Sequence, residues 1–184
     1  MLKKSESRVR IFCKIQCLDR RKLGGYIMAG VNAEHINTFL MAATKILSDM
    51  CGCTPKVGKP TVKGTEFSDD TVVILIGVTG ELRGQVLITF SEQIACDIAG
   101  KMCMMPIEQL DELSISAISE LGNMIMGNAA TVFSVNGVGI DITPPTVARG
   151  KMSLVTPVTN LSIPIQYEEN KVIEFNLAIR QDQN

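Results

Sequence analysis

The sequence predicts an α+β domain, a mixed and largely antiparallel sheet with helices packed on it. Two observations lead there. β-Branched, apolar runs come in two pairs, each pair joined by turn residues, which is the pattern of hairpins. Segments with apolar residues at helical spacing lie before the first pair and between the two, so helices must cover the hairpins. A chain of 184 residues supplies one domain with a substantial core.

Taken in order, Ile36, Phe39, Leu40, Ala43, Ile46, Leu47 and Met50 mark an amphipathic helix over 32–50. Gly52, Pro55, Gly58 and Pro60 then break the chain. Runs 71–78 (TVVILIGV) and 85–90 (QVLITF) flank the turn residues 79–84 as a first hairpin. Ser91 and Glu92 begin a second helix, which Pro106 is expected to end. Its Met102, Met104 and Met105 read either as a soft binding patch or as a helix end packed in the core, and the core is expected. Asp111 caps a long helix reaching to about Ser134, closed by Gly137 and Gly139, and Pro144-Pro145 mark a loop. Runs 161–167 and 171–180 around Glu168-Glu169-Asn170 make the second hairpin.

Composition excludes several classes. No apolar run approaches the roughly 18 residues of a membrane span, so a soluble protein with no membrane partner is expected, and cysteines read as reduced thiols suit a cytoplasmic one. The net charge of −1 hides an asymmetry: residues 1–27 hold eight Lys/Arg against two acids, whereas 28–184 hold ten against seventeen. A basic head suits a nucleic-acid tail or a targeting peptide, but it lacks an apolar signal core and an aromatic–basic pattern. Leu23-Gly24-Gly25-Tyr26-Ile27-Met28 also permits the codons UUA GGA GGA UAU AUU AUG, which place AGGAGG shortly before an AUG. Residues 1–27 are therefore expected to be a non-native or disordered leader, leaving 28–184 as the domain, with no nucleic-acid partner. The six cysteines (13, 17, 51, 53, 96 and 103) form no CxxC, and there is one histidine, so no metal site is expected and the thiols are read as reduced and mostly buried.

The helix over 111–134 carries the candidate chemistry. With Ser116 set at zero on a helical wheel, Glu120 falls at about 40°, Asn123 at about 340° and Gly127 at about 20°. Ile118, Gly122, Ile125, Ala129 and Val132 fall between about 160° and 240°, diametrically opposite. An exposed helical Glu commonly has a cation three or four residues away. The corresponding neighbours of Glu120 are Ser116, Ala117, Asn123 and Met124, and no Lys or Arg occurs from Met102 to Ala148. Glu120 is thus available for a partner's cation, and Gly127 with Ala130 leaves the next turn bare for close approach. Pattern alone leaves a second reading open: polar residues on a wet helix face.

Ser116-x-x-x-Glu120-x-x-Asn123, with Gly122 and Met124, resembles the active-site signature of the CheC/CheX/FliY phosphatases of bacterial chemotaxis, the CheX branch above all. Asp111-Glu112-Leu113, the segment from Asp141 to Val147 (DITPPTV), Gly58-Lys59-Pro60 and the hairpin 74–84 are similar too, so the resemblance runs from Val31 to the C-terminus. It implies a CheC-like fold and hydrolysis of the phosphoaspartate of a CheY-type receiver domain. In that reading Asn123 orients the attacking water, Glu120 pairs with the receiver's Lys, and Ser116 and Gly127 belong to the partner-binding surface. Mg²⁺ would come with the phosphorylated receiver, so no cofactor of the chain's own is implied, and a homodimer is expected. The alternative is a non-catalytic receiver-binding or flagellar-switch module of the same fold. A second ExxN, Glu34 to Asn37, has Gly30 in place of the Ser and is not expected to work; His35 reads as a surface residue near a helix start.

Overall fold

The structure is a computed structural model and describes residues 32–156 and 158–181. The leader 1–27, the start at Met28, and Cys13 and Cys17 lie outside the described residues.

Helix α1 (Ala33–Cys51) begins where the Asn32 side chain accepts a hydrogen bond from the Glu34 N–H at 3.1 Å. That bond satisfies one of the orphan donors of a helix N-terminus. It ends at Gly52, which takes φ 64°. Two-residue strands follow: β1 (Lys56–Val57), β2 (Thr61–Val62) and β3 (Glu66–Phe67). The first hairpin is β4 (Thr71–Gly80) with β5 (Leu82–Ser91). Helix α2 (Glu92–Cys103) and helix α3 (Glu112–Val135) come next, then β6 (Ile140–Ile142), β7 (Thr146–Arg149) and β8 (Met152–Ser153). The second hairpin, β9 (Leu161–Glu168) and β10 (Lys171–Gln181), turns at Asn170 with φ 62°.

The expected α+β domain forms, and every described strand pairing is antiparallel. The main sheet runs β1-β9-β10-β5-β4-β6, with β2 also on β9 and β7 also on β4; β3 and β8 pair separately. Because side chains alternate across a strand, Val72, Ile74, Ile76 and Val78 of β4 point to one face. There they join Phe39 and Leu47 of α1 and Ile118, Ile125 and Phe133 of α3 in one core. Burial of each such side chain stabilises the fold by roughly 1.5–3 kcal/mol. The rings of Phe39 and Phe133 meet edge to face at 4.9 Å. Asp97 of α2 accepts from the Tyr167 hydroxyl and pairs with Lys101 and Lys171, which also bridge to Glu168. This clasp ties α2 to the second hairpin.

Four expectations need correction. Residues 79–84 are not all turn: Thr79 and Gly80 pair with Asp141 and Ile140, and Leu82 and Arg83 pair with Gln181 and Arg180. The hairpin ends splay onto different neighbours, leaving Glu81 between the strands. Helix α2 stops at Met104 (φ 55°) rather than at Pro106, and that left-handed residue swings the chain away from the core. Met104 is 94% and Met105 49% exposed, and only Met102 packs against the core. Pro144-Pro145 form the loop expected of them, and it joins two short strands, β6 and β7, that the sequence reading does not include. Of the described cysteines only Cys96 is fully buried; Cys51, Cys53 and Cys103 are half-buried. Burial nonetheless pushes the Cys51 thiol up to about 11, and moves Cys53 and Cys96 the same way.

Candidate active site

Helix α3 is anchored at its start by a reciprocal cap. The Ser114 N–H donates to Asp111 Oδ1 at 2.8 Å, and the Asp111 N–H donates to Ser114 Oγ at 2.7 Å. The Ser114 N–H and the Ser114 hydroxyl both donate to the Asp111 carboxyl and hold it below its usual range. The helix then buries Ile118, Leu121, Gly122, Ile125, Met126, Ala129 and Phe133. Gly122 sets the depth of that packing. A Cβ there would stand 2.8 Å from Ile74 Cγ2 and 3.2 Å from Ile76 Cδ1, so only glycine lets α3 rest this close to β4.

With that face pinned, the opposite stripe is held out. Ser116, Glu120 and Asn123 are all exposed, as the wheel requires. Asn123 Nδ2 donates to Glu120 Oε2 at 3.4 Å, a long bond between two side chains one turn apart. Among the described residues no ion pair engages Glu120. Gly127 lies a turn further on, half-buried, and a Cβ there would meet nothing within 4 Å. Its bareness is therefore not a demand of internal packing.

Ser116 and Glu120 also border an open groove that was not anticipated. Ile115 and Ser119 of α3 continue its helix side, and Pro145 with Val147 forms the opposite wall. The register explains the wall: Val147 pairs with Ile74, the residue on which Gly122 rests. The Pro144-Pro145 dipeptide was the one local signal for it. Asn123 and Gly127 lie outside the groove.

The second ExxN is remote. His35 stacks edge-on against Phe133 at 5.6 Å, so the start of α1 lies beside the end of α3. Phe133 is ten residues past Asn123, about 15 Å along the helix axis. Glu34 is exposed and Asn37 half-buried there. His35 is not a plain surface residue: it is half-buried, and its Nδ1 is enclosed without a hydrogen-bond partner. Burial lowers its pKa, outweighing the pull of Glu34 and Glu81. Among the described residues no group of three or more His, Cys, Asp or Glu side chains is placed to hold a metal ion. No described helix is long and apolar enough to cross a membrane.

Helices laid on one face of an antiparallel sheet, with a Glu–Asn pair turned outward on the longest of them, define a CheC-like domain. A family model described as chemotaxis phosphatase CheX matches residues 72–167. The chain is 32% identical over 152 residues to the CheY-P phosphatase CheX of Thermotoga maritima, covering 82% of this chain and 98% of that protein. Two solved structures are similar. One is a CheC-like superfamily protein from Shewanella sp. PV-4, at TM-score 0.72 and 27% identity over 83% of this chain and 100% of that one. The other is CheX in a CheX–CheY–BeF3–Mg²⁺ complex from Borrelia burgdorferi, at TM-score 0.68 and 29% identity over 80% and 98%. The protein belongs to the CheX family of chemotaxis phosphatases.

Proposed function

We propose that this chain hydrolyses the phosphoaspartate of a CheY-type response regulator, with α3 as the element that enters the receiver's active site. The observation that carries the reading is the Glu120–Asn123 pair: exposed, one turn apart, and with no ion pair to Glu120 among the described residues. Membership of a phosphatase family and likeness to a CheX solved with CheY support it.

The chemistry asks little of the enzyme. An acyl phosphate is already activated, so catalysis is mainly placement of a water in line with the breaking bond. The Asn123 carboxamide accepts a hydrogen bond from that water and aims its oxygen at phosphorus. As the P–O bond to water forms, the bond to the receiver's aspartate breaks, releasing a free carboxylate and inorganic phosphate. Glu120 pairs with the receiver's Lys and so sets the depth at which α3 docks. Ser116 and Gly127 complete the contact, the glycine by letting the partner's backbone come close. In this reading the Mg²⁺ belongs to the receiver, where it neutralises phosphoryl charge. We also propose that the chain acts in the cytoplasm, as a homodimer whose mass sedimentation would report.

The test is phosphate release from an acetyl-phosphate-charged receiver, with and without this protein. A marked acceleration is expected. Release at the receiver's own rate, across the CheY-type receivers of the source organism, would overturn the proposal.

A further inference from the structure

We infer that the groove beside Glu120 is a second docking subsite, one that takes a receiver segment bearing an aliphatic side chain and a Lys or Arg. This inference rests on the phosphatase reading for the identity of its occupant; the groove meets the Glu120–Asn123 pair only at Glu120 and runs from there to Glu112 and Pro145.

Three observations support it. The groove is amphipathic in cross-section: Ile115, Pro145 and Val147 offer aliphatic surface, while Ser116 and Ser119 offer hydroxyls along the helix side. Apolar surface of this kind stays in contact with water unless another chain covers it. Secondly, each end of the helix side carries a carboxylate, Glu112 and Glu120. Eight residues separate them, about 12 Å along the axis. Neither has an ion pair among the described residues, and no Lys or Arg occurs in the sequence from Met102 to Ala148. The groove therefore favours a partner bearing cations at both ends of an aliphatic contact. Thirdly, it is continuous with the proposed docking point, because Glu120 itself borders it. A receiver seated on Glu120 therefore lies next to the wall made by Pro145 and Val147.

Glu112 has a local use as well, since an acid in a first helical turn interacts favourably with the helix dipole. That use predicts a change in stability but none in partner binding, so the two can be told apart.

The test uses the full chain and a CheY-type receiver charged with beryllofluoride and Mg²⁺, which binds without turnover. Ser119→Tyr fills the groove from a half-buried helix position outside the core; Glu112→Lys reverses the charge at its far end. Each is expected to weaken binding about tenfold. Glu112→Lys should also flatten the salt dependence of association, because a rim charge acts mainly on encounter. Single-turnover phosphate release at saturating enzyme should stay near wild type in both. Unchanged affinity and salt dependence in both variants, with wild-type protein binding normally, would overturn the inference and leave the catalytic proposal standing. Wild-type binding without turnover would overturn catalysis alone, and the two variants would still decide the groove. Absence of wild-type binding would overturn both.

Discussion

Two glycines on α3 provide a contrast within a single helix. A Gly→Ala change in a helix interior gains about 0.8–1.0 kcal/mol from propensity alone. At Gly127 nothing opposes that gain, because the new Cβ meets no atom within 4 Å. Gly127→Ala is therefore expected to stabilise the fold by about 1 kcal/mol. At Gly122 the new Cβ would stand 2.8 Å from Ile74 Cγ2, a branch methyl of a fully buried side chain that has no free end to swing away. Overpacking of a filled core costs about 1–3 kcal/mol, so Gly122→Ala should be destabilising by up to about 2 kcal/mol despite its better propensity. The two variants should differ by about 1–3 kcal/mol. Urea unfolding measures this directly, with midpoints moving in opposite directions at unchanged slope. If both variants gain stability equally, α3 can retreat from β4 without penalty, and the depth that holds Glu120 and Asn123 outward is not set by Gly122.

Glu120→Ala should weaken binding of the charged receiver by roughly 10- to 150-fold, the worth of a charge-assisted pair, while the thermal midpoint stays put; unchanged binding with lost stability would make Glu120 a structural residue. Asn123→Ala should bind normally and fold at least as well, since its 3.4 Å bond is weak and Ala is the better helix former. Its single-turnover phosphate release should fall on the order of 10²-fold, and retention of more than about half the rate would remove water orientation from this residue. His35 predicts acid sensitivity: its folded pKa lies below the unfolded 6.5, so the unfolded chain takes up the proton first. That contribution is complete above pH 6.5 and declines as pH falls below it; His35→Phe should flatten stability in that window, and an unchanged slope would refute the assignment. Burial alone would raise the Asp97 carboxyl, but hydrogen bonds from Lys171, Tyr167 and Lys101 outweigh it and hold it at about 2, against 3.8 ordinarily. Its stabilising contribution is present above pH 3.8 and lost as pH falls toward 2; Tyr167→Phe should shrink that acid-induced loss as seen by circular dichroism.

The helix stripe was legible because it depends on nothing beyond the helix. Once 111–134 is helical, the wheel alone turns Glu120 and Asn123 away from Ile118 and Ile125, and the structure has both exposed. The groove was not legible, because its two walls lie in different elements and meet only through β4. Strands β6 and β7 have three and four residues, none of them fully buried, so they carry little of the alternation that marks a strand. Their places come from register, Val78 against Ile142 and Ile74 against Val147, which no local pattern contains. The misjudged methionines follow the same logic. Helical spacing through Met102, Met104 and Met105 holds only while the helix lasts, and it ends when Met104 takes the left-handed conformation. Gly122 falls on the buried face of the wheel, but its packing role depends on Ile74 and Ile76 beneath it, which no local pattern contains. Local periodicity thus names the side chains that can reach a partner. The long-range contacts under the helix decide how firmly those side chains are aimed, and which surface lies beside them.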